Sequence, residues 1–144
     1  MARRTERAAE PDDGLVPLWG RLVPLSAGTA PEELWRAELA ARLPGVAARM
    51  EAALGVRAAG WQLRVMSTRW GSCTPRTGRI RVNARLAAYP PVCLDYVVAH
   101  ELCHLLEPSH DARFHELLAH AFPEESAARA LLRRPAREAC GRRA

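Results

Sequence analysis

The segment His100-Glu101-Leu102-Cys103-His104 sets two imidazoles four residues apart, with a carboxylate beside the first. On a helix that spacing stacks both rings on one face, one turn apart. Two neutral imidazole nitrogens so placed suit one zinc ion at about 2.0–2.1 Å each. Glu101 then reaches a water activated by the ion without ligating it, and takes its proton as the water attacks a carbonyl carbon. Zinc sites of this type use three protein ligands and keep a fourth position open. His110 lies just past Pro108 and just before Asp111, where a tight return of the chain brings its ring to the ion. The expectation is one Zn2+ per chain, held by His100, His104 and His110, with Glu101 as the catalytic residue. Glu116, Glu124 and Glu125 are the rival third ligands, and His115 and His120 read as helix-surface residues.

The elements that position these groups are legible around them. Val92 to Leu106 is apolar at nearly every position, which predicts a helix buried at the centre of the fold. Glu107 precedes Pro108, a context that disfavours helix and ends the element. Asp111 is placed to cap a helix from Ala112 to Ala121, and Pro123 to begin a last short helix through Leu132. Upstream, residues 15–25 predict a short hairpin with Gly20 near its turn. Thr29 is expected to cap a helix whose first turn holds Pro31, Glu32 and Glu33. Pro44 is expected to start or kink a second helical piece, which Gly55 stops. Trp61, Leu63 and Val65 alternate with polar residues, as do Ile80 and Val82. These predict two strands paired as a hairpin through a longer loop, with a turn over Thr74–Gly78. The Arg79–Asn83 strand is expected to offer a free edge to an extended peptide.

Composition bounds the class. The chain has 144 residues, 49% apolar and 26% charged, which fits one soluble domain. That domain is expected over residues 15–132, between a disordered tail at 1–14 and a mobile basic tail at 133–144. No apolar run is long enough to span a membrane, and the N-terminus lacks a secretory pattern, so a cytoplasmic location is expected. The four cysteines match no zinc-ribbon spacing and read as reduced thiols, with Cys93 and Cys103 packing as small hydrophobes. Cys73 has no histidine near it in sequence, which argues against a nucleophile. The net charge is +5 and all 21 basic residues are arginine. That bias runs through the whole chain and reads as a solvated surface before a nucleic-acid site.

The segment Thr68-Arg69-Trp70-Gly71-Ser72-Cys73 resembles the R-W-G-S-C signature of the YgjP-like metallopeptidases, relatives of the SprT-type and other zincin proteases. Gly78 to Leu86 is similar to the strand that follows in that family, and Tyr89 to Phe114 to its catalytic core. The likeness covers about residues 31–133. It implies a zincin-like α+β fold, a small sheet beside an active-site helix with other helices packed around. It also implies a peptide or protein substrate, zinc on His100, His104 and His110, and Glu101 as catalytic residue. Asp111 stands where serine is common, and both residues cap. Ala84 stands where a tryptophan or similar bulky residue is frequent, so a substrate contact at that position is not carried over from the resemblance. Trp70, Gly71 and Ser72 either shape the substrate groove or supply a core tryptophan with a glycine turn. Arg69 and Tyr89 are candidate oxyanion stabilisers or structural residues. Two other functions compete. One is a protease acting on DNA-bound proteins, supported by Arg129, Arg133, Arg134, Arg137, Arg142 and Arg143. The other is a non-catalytic zinc module, for which Glu101 would have no use.

Overall fold

The structure, a computed structural model, describes residues 13–141. Most of the expected N-terminal tail, and Arg142 and Arg143, lie outside the described residues. The predicted hairpin forms from β1 (Leu15–Leu18) and β2 (Arg21–Pro24), which pair antiparallel. Gly20 turns it with a φ of 83°, and a Cβ there would stand 2.9 Å from Pro90. Only glycine meets both conditions.

The next element departs from expectation. α1 (Pro31–Leu54) is one continuous helix of 24 residues that runs through Pro44. Pro44 removes one N–H donor, and the partner that loses it is the carbonyl of Ala40, four residues earlier. Both residues are exposed, so water can replace the missing donor. Leu39, Leu43, Val46, Ala47 and Met50 meanwhile bury a single face across the proline and hold the helix together. Its N-cap is Ala30 rather than Thr29, and Glu33 accepts the Ala30 N–H at 3.2 Å. Gly55 ends it in the left-handed region, as expected.

The sheet corrects the predicted hairpin. Its strands are β3 (Gly60–Arg64), β4 (Gly71–Thr74) and β5 (Arg79–Asn83), in the order β3-β5-β4. β3 pairs parallel with β5, and the hairpin joins β4 to β5 through the Thr74–Gly78 turn. The residues read as a loop hold a strand of their own, and that strand takes the adjacent position. β5 is therefore central and paired on both sides. The expected free edge of Arg79–Asn83 does not exist; the free edges belong to β3 and β4. Val65 lies beyond β3 and is 44% exposed.

Asn83 ends β5 fully buried and fastens three segments. Its Nδ2 donates to the carbonyls of Met66 and Arg69 at 2.9 and 2.8 Å, and its Oδ1 accepts from Arg85 N. A 3-10 helix (Ala84–Ala88) then leads to α2 (Pro91–Leu106), which is buried and ends at Glu107 as predicted. Cys93, Leu94, Val98, Leu102 and Cys103 of α2 pack with Leu39, Ile80, Val82 and Leu86 in the core. α3 (Ala112–Ala121) starts on the Asp111 cap, which accepts Phe114 N at 3.1 Å. α4 (Glu125–Leu132) and α5 (Ala136–Ala139) follow. Residues 133–141, inside the stretch expected to be a mobile tail, are tied to the fold. Tyr89 donates its hydroxyl to the Arg134 carbonyl at 2.7 Å, Arg137 pairs with Asp13, and Gly141 N donates to the Gly20 carbonyl. Among the described residues no helix is long and apolar enough to cross a membrane.

Candidate active site

α2 carries His100 and His104 on one face, and the turn after Pro108 returns His110 to the same place. Donor nitrogens of the three lie within 4.8 Å of one another, and Nε2 of His110 is 3.4 Å from Nε2 of His100. All three rings rest on Phe114, with centroids 5.0, 4.7 and 4.8 Å from its ring. Phe114 is fully buried at the first turn of α3, so the Asp111 cap that sets this helix also sets the floor of the cluster. The sequence signalled the cap but gave no sign of that floor. His115, His120, Glu116, Glu124 and Glu125 do not join the cluster.

Two of the three rings have a partner on their second nitrogen. His104 Nδ1 lies 3.2 Å from the Pro108 carbonyl and His100 Nδ1 3.4 Å from the Tyr96 hydroxyl. A carbonyl only accepts, so His104 carries its proton on Nδ1 and turns a bare Nε2 to the cluster. Burial, then the neighbouring His104 and His110, hold His100 down to about 4. Burial, then His110, also lowers His104. Both are neutral near pH 7, the form that binds a metal. Three imidazoles are a donor set that fits zinc.

Glu101 faces away from the core on the cleft side and is 7% exposed. Burial pushes its carboxyl up to about 7, with Arg69 opposing. Among the described residues it has no hydrogen-bond or ion-pair partner. It lines a cleft of about 210 Å³ with Tyr96, Val97 and His100, opposite Arg69, Trp70 and Gly71. Gly71 is the first residue of β4, not part of a turn. A Cβ there would sit 2.8 Å from Val97 Cγ1 and 3.1 Å from Glu101 Cγ. The strand lies directly on the helix at the Glu101 side chain, and that closeness requires glycine. Trp70 packs edge-on against Tyr89 at 5.1 Å and also lines the cleft. Tyr89 spends its hydroxyl on Arg134, outside the cleft, and is structural. Burial raises the Cys73 thiol to about 11, so it is protonated and no nucleophile.

β4 presents one open edge beside this cleft. Asn83 N donates to the Trp70 carbonyl at 2.9 Å. Alternation along an antiparallel ladder then turns Ser72 and Thr74 toward β5 and leaves the N–H and C=O of Gly71 and Cys73 on the free edge.

A central helix with two histidines and a glutamate, a third histidine from the loop behind it and a strand laid across it define a zincin-like α+β metallopeptidase. The sequence matches the YgjP-like metallopeptidase domain over residues 24–135, and the chain belongs to that family. It is a peptide-bond hydrolase of the metal-dependent kind. The crystal structure of the metallopeptidase zymogen of Pyrococcus abyssi abylysin has the same fold. Its TM-score is 0.55 at 19% identity, over 63% of this chain and 90% of that one. No curated protein matches the sequence.

Proposed function

We propose that His100, His104 and His110 hold one zinc ion and that Glu101 is the general base for hydrolysis of peptide bonds in a peptide or protein substrate. The observation that carries this is the partnerless buried carboxylate next to three converging imidazoles. A bound zinc ion would supply Lewis acidity, making a water more acidic and polarising the scissile carbonyl. Glu101 takes the proton of the attacking water and delivers it to the leaving amine. Burial raises this carboxyl in the metal-free protein, and a zinc ion beside it would draw it back toward the carboxylate form that accepts a proton. The free edge at Gly71 and Cys73 binds the substrate backbone as an added strand. Arg69 remains the candidate to stabilise the developing oxyanion. A purely structural zinc site gives no reason to bury a carboxylate without a partner. Four unpaired thiols fit a reducing, cytoplasmic compartment.

The test compares zinc content and peptide hydrolysis across variants. Glu101→Gln should keep about one zinc per chain and lose about 10²–10⁴-fold in turnover. His110→Ala should lose zinc, whereas Glu116→Ala should not. Loss of metal in Glu101→Gln, or full zinc occupancy in His110→Ala, would overturn the assignment.

A further inference from the structure

All of the chain's excess positive charge lies in the segment that builds the sheet. Residues 52–94 hold seven arginines and no acid, whereas the remaining 101 residues hold fourteen arginines against all sixteen acids. The ion pairs among the described residues, Arg49–Asp95, Arg113–Glu107, Arg129–Glu125 and Arg137–Asp13, use none of the seven. Strand register fixes where this charge points. Ile80 and Val82 of β5 are fully buried on the inner face, so Arg79 and Arg81 stand on the outer one. Arg81 aligns with Gln62 and Ser72, and Arg79 with Gly60 and Thr74.

Arg81 reaches across β4. Its two terminal nitrogens donate to Ser72 Oγ at 3.1 Å and Thr74 Oγ1 at 3.3 Å. Both acceptors are neutral, so they orient the guanidinium without compensating its charge, and they use two of its five donors. The group is thus held on the outer face of the strand whose free edge adjoins the catalytic cleft. An added strand lies about 4.8 Å from β4 and turns every second side chain to that same face. Arg69 continues the positive charge into the cleft.

We infer that the enzyme selects substrate segments with acidic side chains at alternate positions along β4, and that Arg81 reads them; this rests on the peptidase reading above. The occupant is a polypeptide because the charge sits at a strand edge continuous with the cleft. Among the described residues the outer face also lacks a stacking platform for bases: Trp61 turns its indole to Glu51, and Trp70 packs on Tyr89.

A randomised peptide library, incubated with the zinc-loaded enzyme and read by mass spectrometry, defines a cleaved sequence. Matched peptides with Glu or Gln at alternate positions on each side of the scissile bond are then compared. The Glu peptides of one side should have a kcat/KM about five- to tenfold higher at low salt. The ratio should fall toward one at about 0.5 M NaCl and in Arg81→Gln, with Arg81→Lys between. Fluorescence anisotropy on zinc-loaded Glu101→Gln should give the same preference in binding alone. Cleavage without acidic preference, or a preference that survives in Arg81→Gln, would overturn the inference. So would duplex DNA that displaces the Glu peptide and binds more tightly at the same salt. Failure to cleave any peptide would instead overturn the hydrolytic reading, and a Glu-over-Gln difference in binding would still support the role of Arg81.

Discussion

Glu101 and His100 are neighbours in sequence whose burial has opposite consequences for pH. Burial raises Glu101 from 4.5 to about 7, so the folded protein holds a proton that the unfolded chain has released. That stabilisation is complete below pH 4.5 and lost as pH rises through 7. Burial lowers His100 from 6.5 to about 4, so the unfolded chain holds the extra proton. That stabilisation is complete above pH 6.5 and lost as pH falls through 4. In the metal-free protein the two slopes oppose each other between about pH 4.5 and 6.5. Glu101→Gln removes only the first. The stability of the zinc-stripped variant should therefore climb with pH more steeply than that of the wild type in this window, by about 1.4 kcal/mol per unit. At pH 8 it should stand above wild type by on the order of 3 kcal/mol relative to their difference at pH 4. Urea titrations of both chelated proteins across pH 4–8 measure the difference. Parallel curves would mean that Glu101 is not desolvated in the folded state. At this scale the sequence was informative. Histidines at a spacing of four, and a proline that forces the chain back, indicate which side chains can meet whatever the sheet does. Phe114 and Tyr96 escaped notice because an apolar or aromatic residue on a helix has the same pattern whether it packs in the core or floors a site.

Local signals located the helices, whereas the pairing of strands depends on contacts far apart in sequence. Asp111, Pro108 and Gly55 act on their own backbone neighbours, and the helices they bound lie where they predict. Pro44 misled because its effect depends on whether the bereft carbonyl meets water, which is a property of the tertiary fold. β4 was hidden because Gly71-Ser72-Cys73-Thr74 has little strand character, and its side chains show no alternation of apolar and polar. The contact of Gly71 with α2 explains that composition, since any larger residue meets Val97 and Glu101. Gly71→Ala should cost about 1–3 kcal/mol through overpacking and reduce turnover at least tenfold by displacing Glu101. Val97→Ala opens the space that the new methyl needs. The double variant should therefore be less destabilised than the two single changes added together. Strict additivity would mean that the strand does not press on the helix at this point.

At the scale of the molecule, the two ends of the described chain close on each other beside the 3-10 helix. Residues 133–141 contribute α5, a buried Ala139, the Arg134 carbonyl that accepts from Tyr89, and Gly141, which bonds to the Gly20 turn. Arg137 reaches Asp13 and the Leu15 carbonyl, so the segment also clasps β1. The sequence suggested a loose basic tail because Arg133, Arg134 and Arg137 are charged and Pro135 interrupts any helical period. In the fold these arginines are not all free: Arg137 is paired, and it is the Arg134 backbone, which composition does not report, that anchors Tyr89. Tyr89 in turn packs against Trp70 at the cleft, so the segment supports the wall of the cleft from behind. Deleting residues 133–144 should leave the Tyr89 hydroxyl buried without its acceptor and uncover the apolar surface under Ala139. The combined loss is about 2–4 kcal/mol, or on the order of 5–15 °C in Tm for a domain of this size. Tyr89→Phe removes only the hydrogen bond and should lower Tm by about a third of that or less. Scanning calorimetry of the full chain, the deletion and Tyr89→Phe separates the two terms. A deletion that leaves Tm unmoved would show a tail that does not hold the fold, returning its arginines to the surface role that composition suggested.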